Sequence, residues 1–123
     1  MSAQPDAGMT PTTFENPMGI DGFEFVEYAA PSGQSGHLHD YFRKLGFVQV
    51  ARHKTRPIHT YRQGDCTFLI NEDPDSFAAR FAAQHGPSAC GFAIRINKLA
   101  DWARVQALKN GAESFDAADE LTK

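Results

Sequence analysis

The constraint that weighs most on this chain is an internal repeat begun twice and completed once. Gly22-Phe-Glu-Phe25 is echoed by Gly91-Phe-Ala-Ile94. Each run is strand-like, and each precedes an amphipathic segment, Leu38 to Leu45 or Leu99 to Leu108. Each segment stops at a glycine, Gly46 or Gly111, as the positive φ beyond a helix end favours. Three strand patterns follow the first helix: Phe47 to Ala51, Ile58 to Arg62 and Cys66 to Ile70. The unit is strand, helix, three strands, and a repeat fixes architecture before any other feature. The first copy covers 22–71 and an inserted helix 72–89. The second copy, 90–123, has only Ala112 to Lys123 left for its three strands, with one weak pattern at Glu113 to Phe115. The expected fold class is α+β: a βαβββ module repeat whose second module is truncated. The expected organisation is a flexible tail over 1–18 and one domain over 19–123.

Composition narrows the function classes. A chain of 123 residues, 41% hydrophobic, can bury one core, which excludes disorder for the bulk. No stretch approaches the roughly 20 apolar residues of a membrane helix. The first thirteen positions lack the basic and apolar regions of a secretory signal. Two cysteines, Cys66 and Cys90, make no disulfide framework and no Cys/His metal spacing. A net charge of −3 argues against nucleic acid as partner. A cytoplasmic protein is expected, with no membrane partner.

The apolar spacing sets expectations for packing. The first helix should bury Leu38, Tyr41, Phe42 and Leu45. Asp73-Pro74 offers an N-cap and an N1 proline for a helix to His85 that buries Phe77, Ala78, Phe81 and Ala82. The last helix should turn Leu99, Trp102, Ala103 and Leu108 inward. Phe23, Phe25, Phe68, Phe77, Phe81 and Phe92 read as core rather than as a substrate cage. Cys66 and Cys90 read as small buried hydrophobes.

The chemistry-bearing residues form no obvious constellation. His37 and His39 lie two apart at a helix start, a spacing that shares no helix face, and read as a solvated entry. His53 and His59 flank Arg56-Pro57 and, with Arg52, Lys54, Arg56 and Arg62, make a basic cluster. It could bind a carboxylate in bidentate fashion, but a solvated hairpin or subunit contact is the plainer reading. His85 sits at a helix end and meets its dipole. Glu24 and Glu27 are three apart on a strand, so they face opposite ways and make no acid–base pair. Walker A, Rossmann and nucleophile-elbow patterns do not occur.

Strand–helix–three strands, doubled, resembles the vicinal oxygen chelate superfamily. Longer runs resemble the N-terminal part of bacterial 4-hydroxyphenylpyruvate dioxygenases. They are Glu15-Asn-Pro-Met-Gly-Ile-Asp-Gly-Phe-Glu-Phe-Val-Glu27, His59-Thr-Tyr-Arg-Gln-Gly-Asp65, and the stretch from Phe68-Leu-Ile-Asn-Glu-Asp-Pro to Ser88-Ala-Cys-Gly91. The similarity covers about 15–115.

The resemblance implies conversion of 4-hydroxyphenylpyruvate and O2 to homogentisate and CO2 in tyrosine catabolism. It implies Fe(II) held by two His and one Glu, the facial triad that suits ferrous oxygenases. It also implies a second, C-terminal barrel that carries the iron. Aligned without gaps on that half, the His positions fall at Gly22 and Gly91, and the carboxylate would come from a strand that is missing. The expectation is therefore no catalytic, cofactor-binding or metal residue within these 123 residues. The expected partners are the missing catalytic domain and other copies of the chain. Two alternatives stay open: a stand-alone dimeric small-ligand binding protein of the same superfamily, and a related mandelate-forming dioxygenase. Unpaired sheet edges predict a chain that, alone, is marginal, dimeric or aggregation-prone.

Overall fold

The computed structural model describes residues 15–97 and 99–114. Among the described residues eight elements follow one another: β1 (Ile20–Ala29), α1 (Gly36–Lys44), β2 (Val48–Arg52), β3 (Ile58–Gln63), β4 (Cys66–Asn71), α2 (Phe77–His85), β5 (Ser88–Ile96) and α3 (Ala100–Lys109). The five strands form one mixed sheet in the order β2-β3-β4-β1-β5. β2, β3 and β4 make an antiparallel meander, β1 runs parallel to β4, and β5 returns antiparallel to β1. The two strands that open the repeat are thus neighbours. Their equivalent phenylalanines, Phe23 and Phe92, meet edge to face at 5.5 Å.

The expected order of elements is present, with boundaries moved by a few residues. Gly22 has φ +85°, a conformation that disfavours a side chain, and the β1–β5 register shifts around it. Gly46, at φ +92°, turns the chain from α1 into β2. α2 begins at Ser76, whose hydroxyl accepts from the Ala79 N–H at 3.1 Å, and not at Asp73. The Asp73 carboxylate is spent on the Asp75 N–H two residues on, an Asx-type turn that delays the helix. Asn16 ties its side chain to the Ile20 backbone, so residues 15–18 make an anchored turn rather than part of a flexible tail. Residues 1–14 of that expected tail lie outside the described residues. Of the weak strand expected at Glu113 to Phe115, Glu113 and Ser114 are not strand, and Phe115 lies outside the described residues.

The larger core cluster packs α1 on the sheet: Leu38, Phe42, Phe47, Tyr61 and Ile70, with Tyr28 and Phe68 against them. Phe42 is its hub, with Tyr28, Tyr61 and Phe68 rings all within 5.5 Å. Tyr28 enters this cluster. Its strand neighbour Ala29 points the other way and packs with Ala78 and Ala82 of α2. Side chains that small let α2 approach β1 and β5 closely.

Several apolar residues expected inside are outside. Tyr41 and Leu45 are exposed because α1 turns Leu38, His39 and Phe42 inward, a stripe rotated toward the helix start. Phe77 is exposed because the alanines of α2 take the inner face. Phe23 on β1 and Phe92 on β5 are exposed, as are Leu99, Trp102 and Leu108. Of α3's expected inner face only Ala103 is buried. Cys66 is exposed and Cys90 half-buried, so the expectation for Cys66 fails: it is the first residue of β4, directly after the Gly64-Asp65 turn that closes the β3–β4 hairpin. Among the described residues no helix is long and apolar enough to cross a membrane.

Candidate functional site

Strand alternation builds the site. In the β3–β4 register His59 faces Ile70 and Tyr61 faces Phe68. Partners across a ladder share a face, and side chains two apart share it too. His59, Tyr61, Phe68 and Ile70 therefore line the face that α1 covers. Two residues beyond Ile70 comes Glu72, held in line by its N–H to the Pro57 carbonyl at 2.8 Å. Helix α1 lays His39 over this row, one residue along from Leu38.

The result is a compact polar group at the end of an aromatic core. His59 Nε2 lies 2.6 Å and His39 Nε2 3.1 Å from the same Glu72 oxygen, Oε1. The two imidazole rings meet edge to face at 4.9 Å. The other Glu72 oxygen accepts from the Ser35 hydroxyl at 2.5 Å. Ser35 stands at the N-cap of α1 yet makes no side-chain cap bond, because its hydroxyl is turned to Glu72. The far nitrogens of both rings are held as well. His39 Nδ1 is 2.6 Å from the Tyr61 hydroxyl, and His59 Nδ1 is 3.0 Å from the Gln49 side-chain amide. The His39 and His59 side chains are only 14% and 15% exposed, against 28% for Glu72.

The electrostatics favour a charged carboxylate. Burial pushes the Glu72 carboxyl up. The hydrogen bonds from Ser35 and His39 and the charges of His39 and His59 outweigh it together, leaving the carboxyl below its ordinary value. Ser35 and Glu72 also line a cleft of about 260 Å³, with Pro31, Asn71 and Pro74 on its walls.

This grouping departs from the sequence expectation at two positions. His39 is not a solvated helix entry, since the rotated α1 stripe carries it inward. His59 is not part of a solvated basic hairpin, since it lies on the covered face of β3. Glu72 was not anticipated at all, although the alternation Phe68, Ile70, Glu72 was there to be read. His37 is exposed, as expected. The other basic residues disperse. His53 Nδ1 accepts the Thr55 and Arg56 N–H groups and shapes the turn. Arg56 reaches Asp73 at 3.7 Å, and the Arg62 Nε–H donates to Thr67. Arg52 and Lys54 are exposed. His85 rests against Phe81 at the end of α2. Glu24 and Glu27 take separate partners: Glu24 pairs with Arg95 at 2.9 Å, and Glu27 accepts from the buried Asn71 amide. Burial and the neighbouring Glu27 carboxylate push the Cys90 thiol up to about 12.

Residues 14–123 match the family model described as hydroxyphenylpyruvate dioxygenase, N-terminal. The chain belongs to this family. Relatives of this hydroxyphenylpyruvate dioxygenase N-terminal family bear out the resemblance. Hemolysin VllY of Vibrio vulnificus is 48% identical over 104 residues, which are 81% of this chain and 28% of that protein. The 4-hydroxyphenylpyruvate dioxygenase of Pseudomonas sp. (strain P.J. 874) is 45% identical over 100 residues, 81% of this chain and 27% of the enzyme. The chain thus spans less than a third of the length of these relatives. Among solved structures, a xylose isomerase-like TIM barrel/4-hydroxyphenylpyruvate dioxygenase fusion protein superposes with a TM-score of 0.74 at 29% identity, over 87% of this chain and 18% of that one. Methylmalonyl-CoA epimerase from Mycobacterium tuberculosis, at 16% identity, TM-score 0.61 and 84% of this chain against 73% of its own, shares the fold alone. The fold is the α+β vicinal oxygen chelate type expected.

Proposed function

We propose that this chain is the N-terminal part of a 4-hydroxyphenylpyruvate dioxygenase and acts there as scaffold for an iron-bearing C-terminal domain. The observation that carries the reading is the match of residues 14–123 to the N-terminal family model. The whole enzyme would convert 4-hydroxyphenylpyruvate and O2 to homogentisate and CO2 in the cytoplasm. Its Fe(II) would supply oxygen activation.

The residues at the aligned iron positions do not fit a metal. Gly22 and Gly91 have no side-chain donor atom, and Gly22 holds a φ of +85° that side chains rarely adopt. A Cβ added at Gly91 would lie 3.4 Å from Glu27 Oε2. No chemical step is therefore assigned to this pair. The scaffolding role is supported by the apolar surface on one end of the sheet. Phe23 is 60% exposed, Phe92 63% and Leu99 80%, an amount that a following domain or a second copy would cover.

Two measurements test the reading. Reading the gene past Lys123 should show a second barrel with two His and a Glu; a stop codon directly after Lys123 refutes it. The chain supplied with Fe(II) and 4-hydroxyphenylpyruvate should consume no oxygen, and turnover by the chain alone overturns the scaffold role.

A further inference from the structure

We propose that His39, His59 and Glu72 bind a divalent transition ion of the zinc type, which fastens α1 to the ends of β3 and β4. The three donor atoms lie within 4.8 Å of one another and come from α1, from β3 and from the residue that follows β4. They are not the aligned positions Gly22 and Gly91, and their grouping runs against the expectation of no metal residue in this chain.

Geometry supports the assignment first. Bonds of about 2.0–2.1 Å to a tetrahedral zinc place its ligand atoms roughly 3.0–3.5 Å apart. The Glu72 oxygen already lies 3.1 Å from His39 Nε2, and its 2.6 Å approach to His59 Nε2 needs to open only by some tenths of an ångström. Imidazole and carboxylate donors together suit zinc-type ions.

The surrounding bonds carry the argument further. Each donor group is held from behind: His39 by the Tyr61 hydroxyl, His59 by the Gln49 amide, Glu72 by the Ser35 hydroxyl. Such outer bonds fix ring orientation at metal sites. Without an ion, a ring in its neutral form can donate from Nε2 to Glu72 and accept at Nδ1. With an ion, Nε2 must offer its lone pair, so the proton moves to Nδ1 and that nitrogen becomes the donor. Tyr61 can answer because a hydroxyl both donates and accepts. Gln49 can answer by turning its amide to present oxygen. The same outer partners therefore serve both states, and no buried polar atom is orphaned in either. A network built only to tie two rings to a carboxylate would not require partners of this ambivalent kind.

The test uses the metal-free chain, with Zn(II) and Co(II) as probes. Calorimetry should show one equivalent of Zn(II) bound, and Co(II) should give the visible absorption of a low-coordinate nitrogen–oxygen site. Long-range nitrogen–proton spectra should show both rings changing from the Nε2–H to the Nδ1–H tautomer on saturation. Glu72→Gln should abolish the site, and His53→Gln should leave it intact. Ser35→Ala, which removes only an outer hydroxyl, should weaken binding about 10- to 100-fold. Absence of saturable binding, unchanged ring tautomers in the unmodified chain, or full affinity in folded Glu72→Gln would each overturn the proposal. The tautomer measurement needs no variant, so it decides even if a substitution unfolds the chain.

Discussion

Replacing Tyr61 with Phe is the sharpest probe of how the aromatic core and the polar group depend on each other. The Tyr61 side chain is fully buried, and its ring packs against Phe42 and His39, each at 5.5 Å. Tyr61→Phe preserves that packing and deletes one oxygen. What is lost is the 2.6 Å bond to His39 Nδ1. Among the described residues, every buried side-chain polar atom has a partner, so the substitution creates an orphan where none existed. Leaving a buried acceptor unsatisfied costs about 1–3 kcal/mol. With His39 only 14% exposed, water replaces the hydroxyl poorly, and the middle of that range, about 2 kcal/mol, applies. Urea unfolding reads the effect. With a slope of about 2 kcal/mol/M, the midpoint should fall by about 1 M while the slope stays constant. A second substitution, His39→Phe, closes a double-mutant cycle, and the two changes should be coupled by about 1 kcal/mol. A midpoint unmoved by Tyr61→Phe, or additive effects in the cycle, would refute the reasoning.

Four further outcomes are expected. Phe42→Ala removes the hub of the cluster and should destabilise the chain by about 3–5 kcal/mol in the same urea assay. Of the two thiols, exposed Cys66 should react first with an alkylating reagent at pH 8. Cys90, pushed up to about 12, should react slowly until the chain unfolds. Its raised value also means a stability contribution that is complete below pH 9 and is lost as pH climbs toward 12, visible in a melting-temperature profile. Glu72 has the opposite sign. Its lowered carboxyl stabilises the fold above the ordinary value of 4.5, and this is lost as pH falls through the folded value. Glu72→Gln should flatten that acid limb of the same profile.

The order of elements was legible because each rests on a local pattern: alternation in the strands, glycine stops after α1 and α3, Gly86 after α2. Which face turned inward was less so. Two stripes on α1 are almost equally apolar, and what selects Leu38 with His39 and Phe42 is the sheet beneath, where Tyr61 and Glu72 offer partners to an imidazole. That information lies some twenty to thirty residues downstream of the helix and is not contained in it. The same holds for α2, where alanines are preferred to phenylalanines because close approach to β1 matters more than apolar area. The polar group was missed for a related reason. Along the helix His39 stands beside His37, whereas its partners are reached only through the β3–β4 ladder.

The sheet order has a consequence for how the chain comes into being. β1 sits between β4 and β5, and its first partner in sequence is β4, where Val26 meets Phe68. During synthesis β1 therefore emerges with nothing to pair with until roughly forty more residues have followed, a wait of about two to eight seconds at ordinary translation rates. The β2–β3 hairpin can close on itself in that interval. This interior strand is thus made first and seated late. A helper that shields Phe23, Phe25 and Tyr28 during those seconds would raise the yield of folded chain without touching its final stability.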